Sequence, residues 1–278
     1  MKGVPTASCA ERGSSPGDAD HHLHHEDPVV WKTSRMAQRV VLVHGAWHGG
    51  WAFERVLPLL RGSGLEATAV DLPGHGEDSG SPGDLHTDAA SVRAELDRAN
   101  DRIVLLGHSY GGAVITEAGD HPAVAHLVYL CAFALDAHES CGNAVAEEAA
   151  AARVCHEGRP DVGAGLRQGP NGTTTLDPTV AATCMYNDCD AATVAWATAR
   201  LGPQPMVALT QVPSSVAWRN KPSTYVVCSD DLVIHPDVQR LLARRCSTTV
   251  EWRTGHSPFL SRPELVASLL AELALGSA

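Results

Sequence analysis

The sequence predicts an α/β protein: a doubly wound, mainly parallel sheet with an inserted, mainly helical cap. Three observations lead there. Short β-branched apolar runs alternate with helix-spaced patterns over most of the chain. The runs show no polar alternation, which marks strands buried on both faces and hence a parallel sheet clad by helices. One long stretch between two such runs, about 132–221, is rich in Ala, Glu, Gly and Pro and holds no clear core strand, so it reads as an insertion.

Taken in order, Arg39–Val43 (R-V-V-L-V) is the first expected strand, and 51–60 carries apolar residues at helical spacing. A second strand, Glu66–Val70 (E-A-T-A-V), runs into Asp71 and the turn-rich D-L-P-G-H-G. Residues 88–100 form an amphipathic helix with Val92, Leu96 and neighbouring alanines on one face. The fully apolar run 103–106 is a strand, followed by a glycine and then a helix over 111–118. Strands at 126–131, 224–228 and 249–252, with helices at 236–245 and 262–275, complete the pattern. Crossovers in such a sheet are right-handed.

Composition narrows the partners. The 278 residues are 44% hydrophobic, enough for a sizeable core, in one large domain or two small ones at about 100–200 residues each. With 21 Lys and Arg against 32 Asp and Glu, the formal net charge is −11. That excludes a non-specific nucleic-acid partner, whose phosphates demand cations, and a polybasic membrane contact. No run approaches the about 18 apolar residues of a membrane span, so a soluble protein is expected. Cys9, Cys131, Cys141, Cys155, Cys184, Cys189, Cys228 and Cys246 include no C-x-x-C pair, and the N-terminus has no apolar secretory segment. Reduced, mostly buried thiols in a cytoplasmic protein are the expectation; Cys141 with Cys155, or Cys184 with Cys189, would pair only in an oxidising compartment. Residues 1–35 hold ten Gly, Pro and Ser residues and no apolar periodicity, so a disordered tail is expected, either an extension or a misplaced start. Its His21, His22, His24 and His25 read as a solvated cluster rather than a metal site. The folded unit is expected over 36–278, beginning at Met36.

Chemistry concentrates in three segments. Gly107-His108-Ser109-Tyr110-Gly111 stands directly after an apolar strand and before a helix, the context of a nucleophile elbow. A sharp strand-to-helix turn there strains the serine, leaves no room for flanking side chains, and aims helix N–H groups at a developing negative charge. A serine needs a base oriented by a third group. His256, in T-G-H-S-P-F beyond the last strand, stands where the topology requires the base. The acid is Asp230 or Asp231, after strand 224–228, which gives the chain order Ser, Asp, His. The segment His44-Gly45-Ala46-Trp47-His48-Gly49-Gly50-Trp51 follows the first strand, where a turn can set a backbone N–H opposite that of Tyr110 as an oxyanion hole. His44 and His48 are spaced like metal ligands but lie on a loop without a third ligand, and are expected to brace the loop instead.

From Met36 onward the chain resembles the α/β-hydrolase superfamily, and within it the small serine esterase branch of plant methylesterases and hydroxynitrile lyases. The segments that carry the likeness are V-L-V-H-G-A-W-H-G-G-W, D-L-P-G-H-G, G-H-S-Y-G-G, Y-L-C-A-F, Y-V-V-C-S-D-D-L-V-I-H-P and G-H-S-P-F-L-S-R-P. The resemblance implies Ser109 as nucleophile, His256 as base and Asp231 rather than Asp230 as acid. It implies the backbone N–H groups of Ala46 and Tyr110 as oxyanion donors. His235 departs from the proline common at that position.

The expected reaction is hydrolysis of a small to medium carboxylic ester through an acyl-enzyme, with no cofactor and no metal. Similar cyanohydrin lyases use a lysine after the catalytic histidine and a threonine after the first histidine of the H-x-x-x-H segment. Ser257 and Gly45 stand at those positions here, so no fixed cation would hold cyanide. A non-catalytic small-ligand receptor is the other alternative, against which the intact Ser, Asp and His set argues. Trp47, Phe133, Trp196 and Trp218 are expected to line an apolar substrate pocket, with Trp51 and Phe259 as further aromatic candidates.

Overall fold

Uninterrupted apolar runs become the middle of the sheet in the computed structural model, and partly polar ones become its edges. The structure describes residues 39–276 except 79, 100, 101 and 156. The expectations for residues 1–35, Cys9 and the histidine cluster of the tail lie outside the described residues. The main sheet is built from β1 (Arg39–Val43), β2 (Glu66–Val70), β3 (Ile103–His108), β4 (Val124–Leu130), β8 (Ser223–Cys228) and β9 (Thr248–Trp252). Its order is β2-β1-β3-β4-β8-β9, and every neighbouring pair is parallel. β3 and β8 are buried along their whole length, whereas the edge strands β2 and β9 keep exposed residues. Burial on both faces is what the unbroken I-V-L-L and Y-V-V-C runs required.

Helices α1 (Leu57–Gly62), α2 (Leu85–Leu96), α3 (Tyr110–Ala118) and α8 (Pro236–Ala243) connect these strands, and α9 (Pro258–Ser261) and α10 (Pro263–Leu275) follow β9. One of the expected helices is divided by proline. The stretch 51–60 becomes a single 3₁₀ turn, Gly50–Phe53, then α1 with Pro58 in its first turn. The helix expected over 262–275 forms as α10, with Pro263 in its first turn and the short α9 just before it. Proline lacks the N–H that would continue the preceding turn and fits the first turn of a new helix. α2 begins at Leu85, ahead of the expected start, because Asp84 caps it. The Asp84 carboxylate accepts from the Thr87 N–H at 2.9 Å, and the Thr87 hydroxyl accepts from the Asp84 N–H at 2.7 Å.

Between β4 and β8 the chain leaves the sheet. This excursion contains helices α4 (Ala146–Ala151), α5 (Pro178–Cys184), α6 (Ala191–Thr198) and α7 (Met206–Thr210). It also contains β5 (Leu166–Gln168), β6 (Thr173–Leu176) and β7 (Gln204–Pro205), a small antiparallel sheet that the sequence reading did not anticipate. Strands this short do not complete a period-2 pattern, and two of them are mostly polar. Cys131, Cys141, Cys155, Cys184, Cys189, Cys228 and Cys246 are free thiols, so neither pairing considered from spacing is formed. Among the described residues no helix is long and apolar enough to cross a membrane.

Candidate active site

The strand order creates the site. From β1 the chain steps to β2 on one side and returns to β3 on the other, so the loops after β1 and β3 part at the carboxyl ends of the strands. Crevices at such switch points are where open α/β sheets bind ligands. The turn after β3 holds Ser109 at φ 52° and ψ −119°, a conformation that side chains rarely adopt. It is fixed on both sides: the Ser109 N–H donates to the Leu130 carbonyl at 3.3 Å, and the Ser109 carbonyl accepts from Gly112 at 2.9 Å and Phe133 at 3.1 Å. Glycine is required next to it by contact. A methyl group on Gly107 would lie 2.4 Å from the Gly111 carbonyl oxygen, and one on Gly111 would lie 2.5 Å from the Val43 carbonyl oxygen.

Asp231 and His256 meet in a fully buried pair, His256 Nδ1 to Asp231 Oδ2 at 2.7 Å. The other Asp231 oxygen accepts the N–H groups of Val233 at 2.6 Å and Ile234 at 3.0 Å. Gln239 Nε2 donates to Asp231 Oδ2 at 2.8 Å, a partner the sequence reading missed. Its signal was present: a buried glutamine on the apolar face of α8 must satisfy its amide somewhere. Asp230, the other candidate, faces outward toward the exposed Arg253. His256 Nε2 is buried and has no hydrogen-bond partner, so the bond to the Ser109 hydroxyl is open in this structure. Such bonds often close only with substrate bound.

On the other side of the crevice, the His44–Trp51 segment turns at Trp47, which has φ 62°. His44 Nδ1 donates to the Gly45 carbonyl at 2.8 Å and His44 Nε2 accepts from the Leu72 N–H at 3.2 Å. His48 Nδ1 donates to the Ala46 carbonyl at 2.8 Å, and its Nε2 accepts from the Tyr186 hydroxyl at 2.9 Å. Both histidines thus brace the loop. Tyr110 opens α3, and the first N–H groups of a helix have no partner within it.

Ala46, Trp47, Ser109, Tyr110 and Phe133 line one cavity of about 240 Å³, which Met206, Leu209 and Thr210 close from the excursion. Trp196 and Trp218 do not line it, and this corrects the pocket expected from sequence. Trp196 packs edge-on against Trp51 under the Arg200 guanidinium, while Trp218 donates to the Leu135 carbonyl at 2.8 Å beside Arg219 and Arg245. Both tryptophans spend their rings on cations and loop packing. Phe259 is core, set against Phe53 and His108. The lining residues Cys141, Val162, Met206, Leu209, Thr210 and Val233 were missed, because nothing local distinguishes them from ordinary apolar positions.

The model of the "Alpha/beta hydrolase family" matches residues 40–269. The chain belongs to that family. This α/β hydrolase is 28% identical to "Alpha/beta hydrolase nvfD" of Aspergillus novofumigatus (strain IBT 16806), over 84% of its own length and 96% of the relative's. It is 26% identical to "Methylesterase 17" of Arabidopsis thaliana, over 90% and 96%. Among solved structures it is similar to a pyrethroid hydrolase from Sphingobium faniae JZ-2, with 26% identity, a TM-score of 0.73, and coverage of 86% and 98%.

Burial favours the neutral form of His44, His48 and His108. Burial holds His44 and His108 well below the ordinary histidine range and lowers His48 to about 4. Among the described residues, ligand atoms of His108, Cys131 and His256 lie within 4.8 Å of one another. His108 Nε2 and Cys131 Sγ both donate to the His256 carbonyl, at 2.9 Å and 3.3 Å, and His256 Nδ1 is paired with Asp231. Burial also pushes the Cys131 thiol well up, away from the thiolate that binds metal.

Proposed function

We propose that this hydrolase cleaves a small to medium, largely apolar carboxylic ester through an acyl-enzyme on Ser109. The observations that carry the reading are the buried Asp231–His256 pair and Ser109, held at positive φ in the lining of a largely apolar cavity. Ser109 Oγ attacks the ester carbonyl while His256 Nε2 accepts its proton. Asp231 fixes the imidazole through Nδ1, leaving Nε2 free to accept, and stabilises the cation that forms. The tetrahedral oxyanion accepts from the N–H groups of Ala46 and Tyr110. The C–O bond then breaks, the leaving alkoxide takes the proton from His256, and the alcohol departs. Water attacks the acyl-enzyme with His256 as base, releasing the acid and restoring Ser109.

Among the described residues no lysine or arginine lines the cavity, which favours hydrolysis over cyanohydrin cleavage and a neutral over an anionic acyl group. Relatives named methylesterase and pyrethroid hydrolase support the same class. Free thiols at the described cysteines fit a reducing compartment such as the cytoplasm. A panel of p-nitrophenyl and methyl esters of graded acyl length tests the proposal. Turnover of neutral short or medium esters by the wild type, lost in Ser109→Ala, is expected. Turnover that survives Ser109→Ala contradicts the mechanism, and no turnover in folded wild type favours a ligand receptor.

A further inference from the structure

The residue that follows Ala46 is gripped at three points by the excursion between β4 and β8. The Gly202 N–H donates to the Trp47 carbonyl at 2.8 Å. The Trp47 N–H donates to Gln204 Oε1 at 3.4 Å, and Trp47 Nε1 donates to Thr174 Oγ1 at 3.3 Å. Gln204 and Thr174 are completely buried, so water does not compete for these partners. The grip has something to hold. Trp47 sits at φ 62°, which crowds the Cβ of any side chain, and it relaxes to ordinary backbone unless its surroundings forbid it.

The contacts form a frame around the proposed oxyanion donor. Thr174 Oγ1 and the Gln204 carbonyl are 3.4 Å apart, tying β6 to β7, and Gln204 Oε1 also lies 3.0 Å from His75 Nε2 on the loop after β2. From the opposite side, His48 Nδ1 holds the Ala46 carbonyl, and Tyr186 of the excursion holds His48. Both polar ends of the Ala46–Trp47 peptide are therefore fixed, the carbonyl by His48 and the N–H by Gln204. The Gly45 carbonyl, in the peptide that carries the Ala46 N–H, is fixed by His44. Neither Gln204 nor Thr174 lines the cavity at Ser109.

We propose that Gln204 and Thr174 are positioning residues: the small sheet of the excursion clamps Trp47 in its left-handed conformation and so aims the Ala46 N–H at the oxyanion. The inference rests on the acyl-transfer reading of Ser109. It makes the oxyanion hole a joint product of sheet and excursion, complete only with the excursion seated.

Gln204→Leu and Thr174→Val test it, assayed on the best p-nitrophenyl ester. Loss of an oxyanion donor outright costs about 10²–10³ in kcat, so loosening one is expected to lower kcat about tenfold or more with KM within about twofold. The inhibition constant of a trifluoromethyl ketone, which forms a tetrahedral adduct with serine, rises by the same factor, while that of the product acid stays put. Unchanged kcat in the folded variants overturns the inference, as does a rise in KM alone, which would make these residues mere shapers of the cavity. If Gln204→Leu fails to fold, Thr174→Val, which keeps its volume, gives the same reading. Ser109-dependent turnover in wild type with unaffected variants defeats this inference alone; its absence defeats the esterase reading as well.

Discussion

Ser109 and Trp47 are the two strained side chains of the cavity, at φ 52° and 62°, and each is held by backbone hydrogen bonds from a different part of the chain. Strain of about 1–3 kcal/mol per residue persists only where surroundings over-determine it, and here both cases flank the proposed reaction centre. Asp231, fully buried, distributes its charge over two backbone N–H groups, Gln239 and His256. Asp231→Asn is expected to fold yet lose about 10³–10⁴-fold in kcat, because an amide no longer enforces the Nδ1–H tautomer. A loss below tenfold in steady-state kinetics would show that the pair is structural. Asp88 supplies a pH prediction. Burial pushes its carboxyl up to about 7, although the Tyr110 hydroxyl donates to it at 2.6 Å. The unfolded chain ionises near 4, so this group's contribution to stability is full below pH 4 and declines as pH rises to 7, by up to about 4 kcal/mol. Asp88→Asn removes that slope: chemical denaturation at pH 4 and pH 7.5 should show the variant gaining on wild type as pH rises, and parallel curves would contradict the assignment. The candidates Ser109 and His256 could be picked out because each follows a strand in a distinctive local string, whereas the residues alone left Asp230 and Asp231 open and the family pattern chose Asp231. Asp88 and Gln204 could not be picked out, because their partners stand 22 and 157 residues away.

At the scale of elements, strands β1, β3 and β8 could be read from sequence because burial on both faces leaves an unbroken apolar run. Boundaries were less legible where one residue decides them. Asp84 moves the start of α2, and Pro58 divides a helix whose apolar spacing continues across the break. The small sheet β5-β6-β7 was invisible, since its pairing depends on residues brought together only by the excursion. The contact between β1 and α3 gives a prediction here. A methyl on Gly111 would meet the Val43 and His44 carbonyl oxygens at 2.5 and 2.6 Å, both backbone. Gly111→Ala should push α3 from β1, cost about 1–3 kcal/mol in unfolding free energy, and reduce kcat by displacing the Tyr110 N–H. Wild-type stability and turnover together would mean that the elbow is not tightly packed.

Across the whole molecule, 44% hydrophobic composition suffices to bury the centre of the six-stranded sheet, the formal net charge is −11, and among the described residues no ionic side chain lines the cavity. Long-range repulsion then adds to the apolar lining in disfavouring anionic esters. The kcat/KM ratio of a neutral ester to its carboxylate analogue should exceed one and shrink as salt screens the field, and a ratio indifferent to ionic strength would assign the preference to the cavity alone. The central claim, that Ser109 is an activated nucleophile, is tested most directly by covalent labelling. A fluorophosphonate probe followed by peptide mass mapping should place a single stoichiometric adduct on Ser109, abolished in Ser109→Ala and slowed in His256→Ala. Folded wild-type protein that takes up no probe, or takes it up at another residue, would contradict the account.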